Sequence, residues 1–226
     1  MRLAHVGAGD LVLEIGAGDG AITLELARRA GYVVALEVDP RLAEKLRARF
    51  GPGSGIVVVE GDVFRSSLPR LPFRVVSNVP FDSTTRVLRM LLDDPEALLE
   101  RAALIVQWEV ALKRTRTRPG TLLAMEWAPW WELELVRRVS AAVFRPRPSV
   151  DGGIIVASKR EHPLLPAEVA PAYGAFLRRA FERGPRRVAS SRELKRLGIG
   201  AAGHAVDLER EEWVELFRFL RSRGRV

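Results

Sequence analysis

Asn78-Val79-Pro80-Phe81 is the stretch of this 226-residue chain whose residue types suit a defined piece of chemistry. An amide oxygen and a carbonyl held in place by proline can accept both N–H bonds of an exocyclic amine, while the neighbouring phenyl ring stacks on the heterocycle that carries it. The lone pair of such an amine is delocalised into its ring. Accepting both N–H bonds helps free that lone pair and aims it at an electrophile, so the tetrad suits transfer of a methyl group from a sulfonium to a base amine by positioning and preorganised dipoles. No strong base is needed, because the methylated ammonium loses its proton readily, and the sequence offers no evident His–carboxylate dyad.

A second constellation lies upstream. Gly16-Ala17-Gly18-Asp19-Gly20 follows the apolar run Leu11–Ile15, and a glycine-rich turn between a first strand and a first helix lets backbone N–H groups approach a polar cofactor. Gly16 and Gly18 with Ala21 also satisfy the permissive dinucleotide fingerprint. Glu37 stands twenty-one residues after Gly16, where an acid would grip ribose hydroxyls, so a nicotinamide dinucleotide is an open alternative at this point. Asp62, in Glu60-Gly61-Asp62, reads either as an acceptor for an adenine amino group or as a turn cap.

These groups need a frame. Apolar strands are expected at Leu11–Ile15, Tyr32–Val38, Ile56–Glu60, Phe73–Ser77, Ala102–Trp108, Trp131–Ser140 and Gly152–Ser158, with helices at Ala21–Ala30 and Arg41–Phe50. Continuous apolar strands alternating with helices predict a parallel sheet covered on both faces, with ligands at the carboxyl ends of its strands. Residues 1–158 are expected to form this α/β domain. Residues 159–226, with helical Ala172–Glu182 and Arg210–Arg221, are expected to form a small basic helical domain.

Composition narrows the partner. The chain has 36 Lys and Arg against 28 Asp and Glu, a net charge of +8, and from Lys159 onward fifteen basic residues face nine acidic ones. A polyanion fits that surplus. Lys113, Arg114, Arg116 and Arg118 follow the fifth strand, and Arg178, Arg179, Arg183, Arg186, Arg187, Arg192 and Arg196 form the densest run; either group reads as RNA contact or as a solvated surface. With no cysteine, disulfides and thiolate sites are excluded. His5, His162 and His204 are too scattered for a metal, and Trp108, Trp127, Trp130 and Trp131 read as packing residues. No apolar run is long enough for a membrane helix and no secretory leader is evident, which predicts a cytoplasmic protein.

Glu14-Ile15-Gly16-Ala17-Gly18-Asp19-Gly20, Glu37-Val38-Asp39, Glu60-Gly61-Asp62 and Asn78-Val79-Pro80-Phe81 occur in the order and spacing of S-adenosylmethionine-dependent rRNA adenine N6-methyltransferases. Val106–Ala111 and the segment Phe144–Gly153 resemble the actinobacterial branch of the Erm enzymes, which methylate 23S rRNA and confer macrolide–lincosamide–streptogramin B resistance. The likeness is strong from Leu11 to Ser158 and weaker beyond. Small-subunit rRNA dimethyltransferases share the glycine loop and the tetrad but usually carry lysine where this chain has Trp108.

The resemblance implies a Rossmann-like, seven-stranded methyltransferase fold with S-adenosylmethionine as cofactor. Gly16 and Gly18 would line its methionine part, Glu37 would bind its ribose and Asp62 its adenine, with Glu14 and Asn78 also among the cofactor-binding residues. Asn78, the Val79 carbonyl, Pro80 and Phe81 would hold the target amine. Phe144 would be a second aromatic against the extruded base, or else a core residue before Pro146. Extruding a base costs a few kcal/mol, and each stacking contact returns about 1–3 kcal/mol, so one or two rings offset the flip. The implied partner is 23S rRNA, methylated once or twice by a monomer with no metal and no membrane. Family members normally begin with a Gln-Asn-Phe-like segment that closes over the methionine end; only ten residues precede Leu11, so the chain reads either as an N-terminally shortened form or as one that manages without that segment, with cofactor affinity and catalysis then both affected. The rival readings are a 16S rRNA dimethyltransferase, a catalytically silent RNA-binding or assembly protein, and an NAD oxidoreductase, which leaves Asn78–Phe81 unexplained.

Overall fold

The computed structural model describes residues 2–116, 120–184, 188–199 and 208–226. Two compact units emerge: Met1–Ala111 with Glu134–Lys159, and Leu112–Leu133 with Arg160–Val226. The expected single cut after residue 158 is therefore corrected, since the chain leaves the first unit at 112 and returns to it at 134.

The apolar runs become strands of one sheet: β1 (Leu11–Ile15), β2 (Tyr32–Glu37), β3 (Ile56–Glu60), β4 (Phe73–Asn78), β5 (Leu99–Gln107), β6 (Trp131–Val139) and β7 (Gly152–Lys159). Their order is β3-β2-β1-β4-β5-β7-β6. Strands β1 to β5 pair in parallel, but β7 runs antiparallel to β5, so the all-parallel expectation fails at this edge. Trp108, expected at a strand end, instead begins a helix.

The helices are α1 (Ala21–Ala27), α2 (Pro40–Arg49), α3 (Thr84–Leu92), α4 (Trp108–Thr115), α5 (Leu122–Trp127), α6 (Ala170–Arg183), α7 (Ser191–Arg196) and α8 (Arg210–Arg221). Asp39 starts α2 by accepting from Arg41 N at 2.8 Å, with Pro40 preset for the first helical position. In α3, Val87, Leu88, Leu91 and Leu92 recur at helical spacing and are all buried. Against the sheet, Val12, Val33, Val76, Ala103 and Val156 form a core with Leu26 of α1, and Ala35, Leu46 and Phe50 form a second one with Ala17.

The second unit is held by aromatic packing between α6 and α8. Tyr173 meets Phe217 edge to face at 5.2 Å, and Phe176 meets Trp213 at 5.7 Å. Trp127, Trp130 and Trp131 are buried, in keeping with a packing role, and Trp130 Nε1 donates to Leu165 O at 2.8 Å. Among the described residues no helix is long and apolar enough to cross a membrane.

Candidate active site

Strand order reverses between β1 and β4, and the loops leaving the carboxyl ends of these two neighbours diverge to opposite sides of the sheet, opening the crevice where α/β folds bind ligands. The glycine loop leaves β1 and the tetrad leaves β4, so the topology alone brings together the two motifs singled out from sequence. Ser77 Oγ donates to Ile15 O and ties the strand ends.

The loop from Gly16 to Gly20 depends on glycine. Gly16, Gly18 and Gly20 have φ of +70°, +56° and +78°, in the left-handed region where a Cβ is strained. Gly16 N and Ala17 N donate to Leu36 O at 2.8 and 3.1 Å, which fastens the loop to the end of β2. A Cβ on Gly20 would lie 2.7 Å from Leu46 Cδ2, so that glycine is also demanded by α2; a Cβ on Gly18 would meet nothing within 4 Å, which leaves open space above the loop.

Three acids surround this loop in different states. Glu37 is buried, and its two oxygens accept from Gly18 N at 2.7 Å and Asp39 N at 2.9 Å. A carboxylate offers about four lone-pair sites, so two remain for a diol. Asp62 caps the turn Val63–Arg65 by accepting from Phe64 N at 2.9 Å; its other oxygen is 4.0 Å from the largely exposed Arg65 Nε and remains available to a ligand. Cap and acceptor are thus compatible. Glu14, expected to touch the cofactor, is corrected: it is 1% exposed and accepts from Thr23 Oγ1 at 2.6 Å, so it ties β1 to α1, the two elements the loop connects. Burial pushes its carboxyl up to about 7, against the lowering effect of the Thr23 bonds.

Ile15, Gly16, Leu36, Val38, Val63 and Phe64 line an apolar cleft that also reaches Asp62 and Pro80. An apolar slot with an acid for a ribose at Glu37 and an acid for an amino group at Asp62, below a loop open over Gly18, fits an adenosine-containing cofactor such as S-adenosylmethionine.

Across the cleft, Asn78 is exposed at the end of β4, and Val79, itself buried, donates to Ile105 O at 3.0 Å. The two carbonyls that follow are not equivalent. Pro80 O accepts from Ser83 N at 3.0 Å and is 3.5 Å from Thr84 Oγ1, whereas Val79 O receives no backbone donor among the described residues. Of the two carbonyls, the Val79 oxygen is the one that keeps its acceptor capacity unused by a backbone donor.

Phe144 is not a core residue. It is half-buried and meets Phe81, also half-buried, edge to face with centroids 6.1 Å apart. Gly152 makes room for it, since a Cβ there would lie 3.2 Å from Phe144 Cζ. Asp151 closes the base of the turn that carries Phe144: its oxygens accept from Ala141 N at 2.8 Å and Arg138 Nε at 2.7 Å. The Ala141 bond, then the Arg138 bond and charge, hold its carboxyl below the usual range despite some desolvation. Thr23, Arg138 and Asp151 escaped sequence reasoning. A glutamate inside the apolar run Leu11–Ile15 was the available sign that a buried partner such as Thr23 must exist.

The expected RNA contacts separate. Lys113, Arg116, Arg179 and Arg183 are exposed. Arg114 is half-buried, with Nη1 donating to Thr121 Oγ1 at 3.2 Å, and Arg178 pairs with Glu126 at 2.7 Å, so both also serve the second unit itself. Arg118, Arg186 and Arg187 lie outside the described residues.

Residues 3–221 match the family model described as ribosomal RNA adenine dimethylase. The chain is 39% identical over 224 residues to mycinamicin-resistance protein MyrB of Micromonospora griseorubida, covering 94% of this chain and 71% of that protein. It is 37% identical to an rRNA adenine N-6-methyltransferase of Streptomyces fradiae, covering 97% of this chain and 73% of that protein. The crystal structure of 23S rRNA methyltransferase ErmE superposes with a TM-score of 0.84 at 31% identity, covering 97% of this chain and 94% of that one.

Proposed function

Because the chain belongs to the ribosomal RNA adenine dimethylase family, we propose that it methylates N6 of one adenine in 23S rRNA, once or twice, from S-adenosylmethionine, and so confers macrolide–lincosamide–streptogramin B resistance. The observation that carries this reading is the pairing of the Asn78–Phe81 lip with the glycine loop at the strand-order reversal, with Phe144 brought against Phe81.

S-adenosylmethionine, when bound, supplies an electrophilic methyl group. Gly16 and Gly18 admit its methionine end, the remaining lone pairs of Glu37 accept from its ribose hydroxyls, and Asp62 accepts from its adenine amino group. On the other side, Asn78 Oδ1 and the Val79 carbonyl accept the two N–H bonds of the target adenine. The aromatic ring of Phe81 stacks on the base. These contacts orient the N6 lone pair toward the methyl group and work by placement and fixed dipoles. The proton of the methylated ammonium leaves to solvent. Phe144 supplies a second apolar surface once its edge-to-face contact with Phe81 opens to admit the base. The RNA is held by arginines whose phosphate contacts set register and make affinity depend on salt. The enzyme acts in the cytoplasm as a monomer, with Arg179 and Arg183 among its RNA contacts.

Transfer of labelled methyl from S-adenosylmethionine to purified 23S and 16S rRNA, with the modified adenine mapped by primer extension, tests the proposal. Label at a single 23S adenine is the expected result. Label in 16S would move the chain to the small-subunit branch, and RNA binding without label would make it an RNA-binding protein rather than an enzyme.

A further inference from the structure

The loop 140–150 carries more than Phe144. Its sequence, Ser-Ala-Ala-Val-Phe-Arg-Pro-Arg-Pro-Ser-Val, holds two arginines and no acid. Arg145 and Arg147 are exposed and make no ion pair or hydrogen bond among the described residues. The nearest carboxylate in sequence, Asp151, is engaged by Arg138 and Ala141 N; Arg147 acts on it only through the weakest of the charge effects there, and the carboxylate does not hold that guanidinium. Local hydrogen bonds hold the loop: Val143 N donates to Ser140 O at 3.2 Å, Phe144 N to Ala141 O at 3.3 Å, and Ala142 N to Ser140 Oγ at 3.3 Å. A short anchored turn thus sends one aromatic ring inward to Phe81 and two unpaired guanidiniums outward beside it.

Consecutive Cα atoms are about 3.8 Å apart, so Arg145 lies one step and Arg147 three steps from the ring that meets Phe81. A base held at Phe81 brings its own sugar, and that sugar carries the phosphates on both sides of the nucleotide. Those anions must lie within a sugar's length of the stacked base. Arg145 and Arg147 are the unpaired cations of this loop, and a planar guanidinium suits a phosphodiester. From this placement we propose that Arg145 and Arg147 form a phosphate clamp for the two phosphodiesters flanking the target adenine, fixing the extruded nucleotide while Asp151 anchors the loop. The inference rests on the reading of Asn78–Phe81 as the target-base site.

The test compares wild type with the double variant Arg145→Gln/Arg147→Gln and with Arg28→Gln/Arg29→Gln, at the amino-end side of the sheet. Binding to 23S rRNA is measured without cofactor over a range of salt, and methyl transfer is measured separately, so the two proposals fail independently. Losing two phosphate contacts should make log affinity against log salt shallower by roughly 2 in the clamp variant only. Its thermal midpoint and cofactor affinity should match wild type. An RNA hairpin with neutral methylphosphonate linkages on both sides of the mapped adenine should weaken wild type but not further weaken the variant. An unchanged slope, or a further loss with that hairpin, overturns the clamp whether or not methyl transfer occurs.

Discussion

Replacing Glu14 by glutamine should flatten the dependence of folding stability on pH. In the native protein this carboxyl is 1% exposed and pushed up to about 7 by burial, with Glu37 contributing a smaller push, while an unfolded chain leaves it near the ordinary 4.5. The native state therefore keeps a proton that the unfolded state has lost. For a carboxyl raised on folding, stability from that proton is fully present below about 4.5 and is lost as pH rises through 7. At about 1.4 kcal/mol per pKa unit, the change between pH 5 and pH 8 is about 2.5 kcal/mol. In Glu14→Gln the side-chain amide oxygen would still accept from Thr23 Oγ1, but no charge would be buried. Urea unfolding of both proteins from pH 5 to 8 measures the difference, with contributions common to the two proteins cancelling. Wild type should lose about 2.5 kcal/mol more than Glu14→Gln across that range. Parallel stability curves would refute the account of Glu14 as a buried brace.

Phe81→Ala removes the ring expected to stack on the target base, worth about 1–3 kcal/mol, so kcat/KM for RNA should fall roughly 5-fold to 150-fold while cofactor affinity holds; a large loss of cofactor affinity would remove Phe81 from the RNA side. Glu37→Ala takes the acceptor from Gly18 N and Asp39 N and from the ribose, and should weaken S-adenosylmethionine binding in calorimetry by a factor of about ten or more; unchanged affinity would exclude it from the site. Gly20→Ala and Gly18→Ala should diverge. The first, strained at φ +78° and 2.7 Å from Leu46 Cδ2, should cost about 2–3 kcal/mol of stability in urea unfolding, whereas the second, strained but sterically open, should cost about 1 kcal/mol and mainly reduce cofactor affinity. Equal losses of stability would contradict that division.

Much of this arrangement is legible in the sequence, because period and punctuation are local signals. Leu11–Ile15 and Ile56–Glu60 are strands with the bounds their apolar runs predict, and α8 spans Arg210–Arg221 as its pattern predicts. Trp108 reads as a strand end because a strand and a buried helix start share the same apolar character; only the tertiary turn, with Trp108 N donating to Asp151 O, decides between them. The antiparallel β7 is invisible for a similar reason: apolarity reports burial and not direction. Helix α3 is absent from the expected elements although its leucines and valine repeat at helical spacing, since the tetrad before it draws the reading toward a loop.

The site is legible in its members but not in their division of labour. Glu14 and Glu37 look alike in sequence, each an acid at the end of an apolar run. One faces Thr23 inside the fold, while the other faces Gly18 N with lone pairs to spare. Likewise, the residues of Asn78–Phe81 are not equivalent, because Ser83 N already occupies the Pro80 carbonyl while Val79 O receives no backbone donor among the described residues. Such assignments depend on which hydrogen bonds the fold has already used, a property of the folded chain and not of the motif. The same reasoning separates Arg178, paired with Glu126, from Arg145 and Arg147, which form no ion pair among the described residues. In a chain of net charge +8, the arginines most informative about RNA are those without an ion pair among the described residues beside Phe81, the ring proposed to receive the target base.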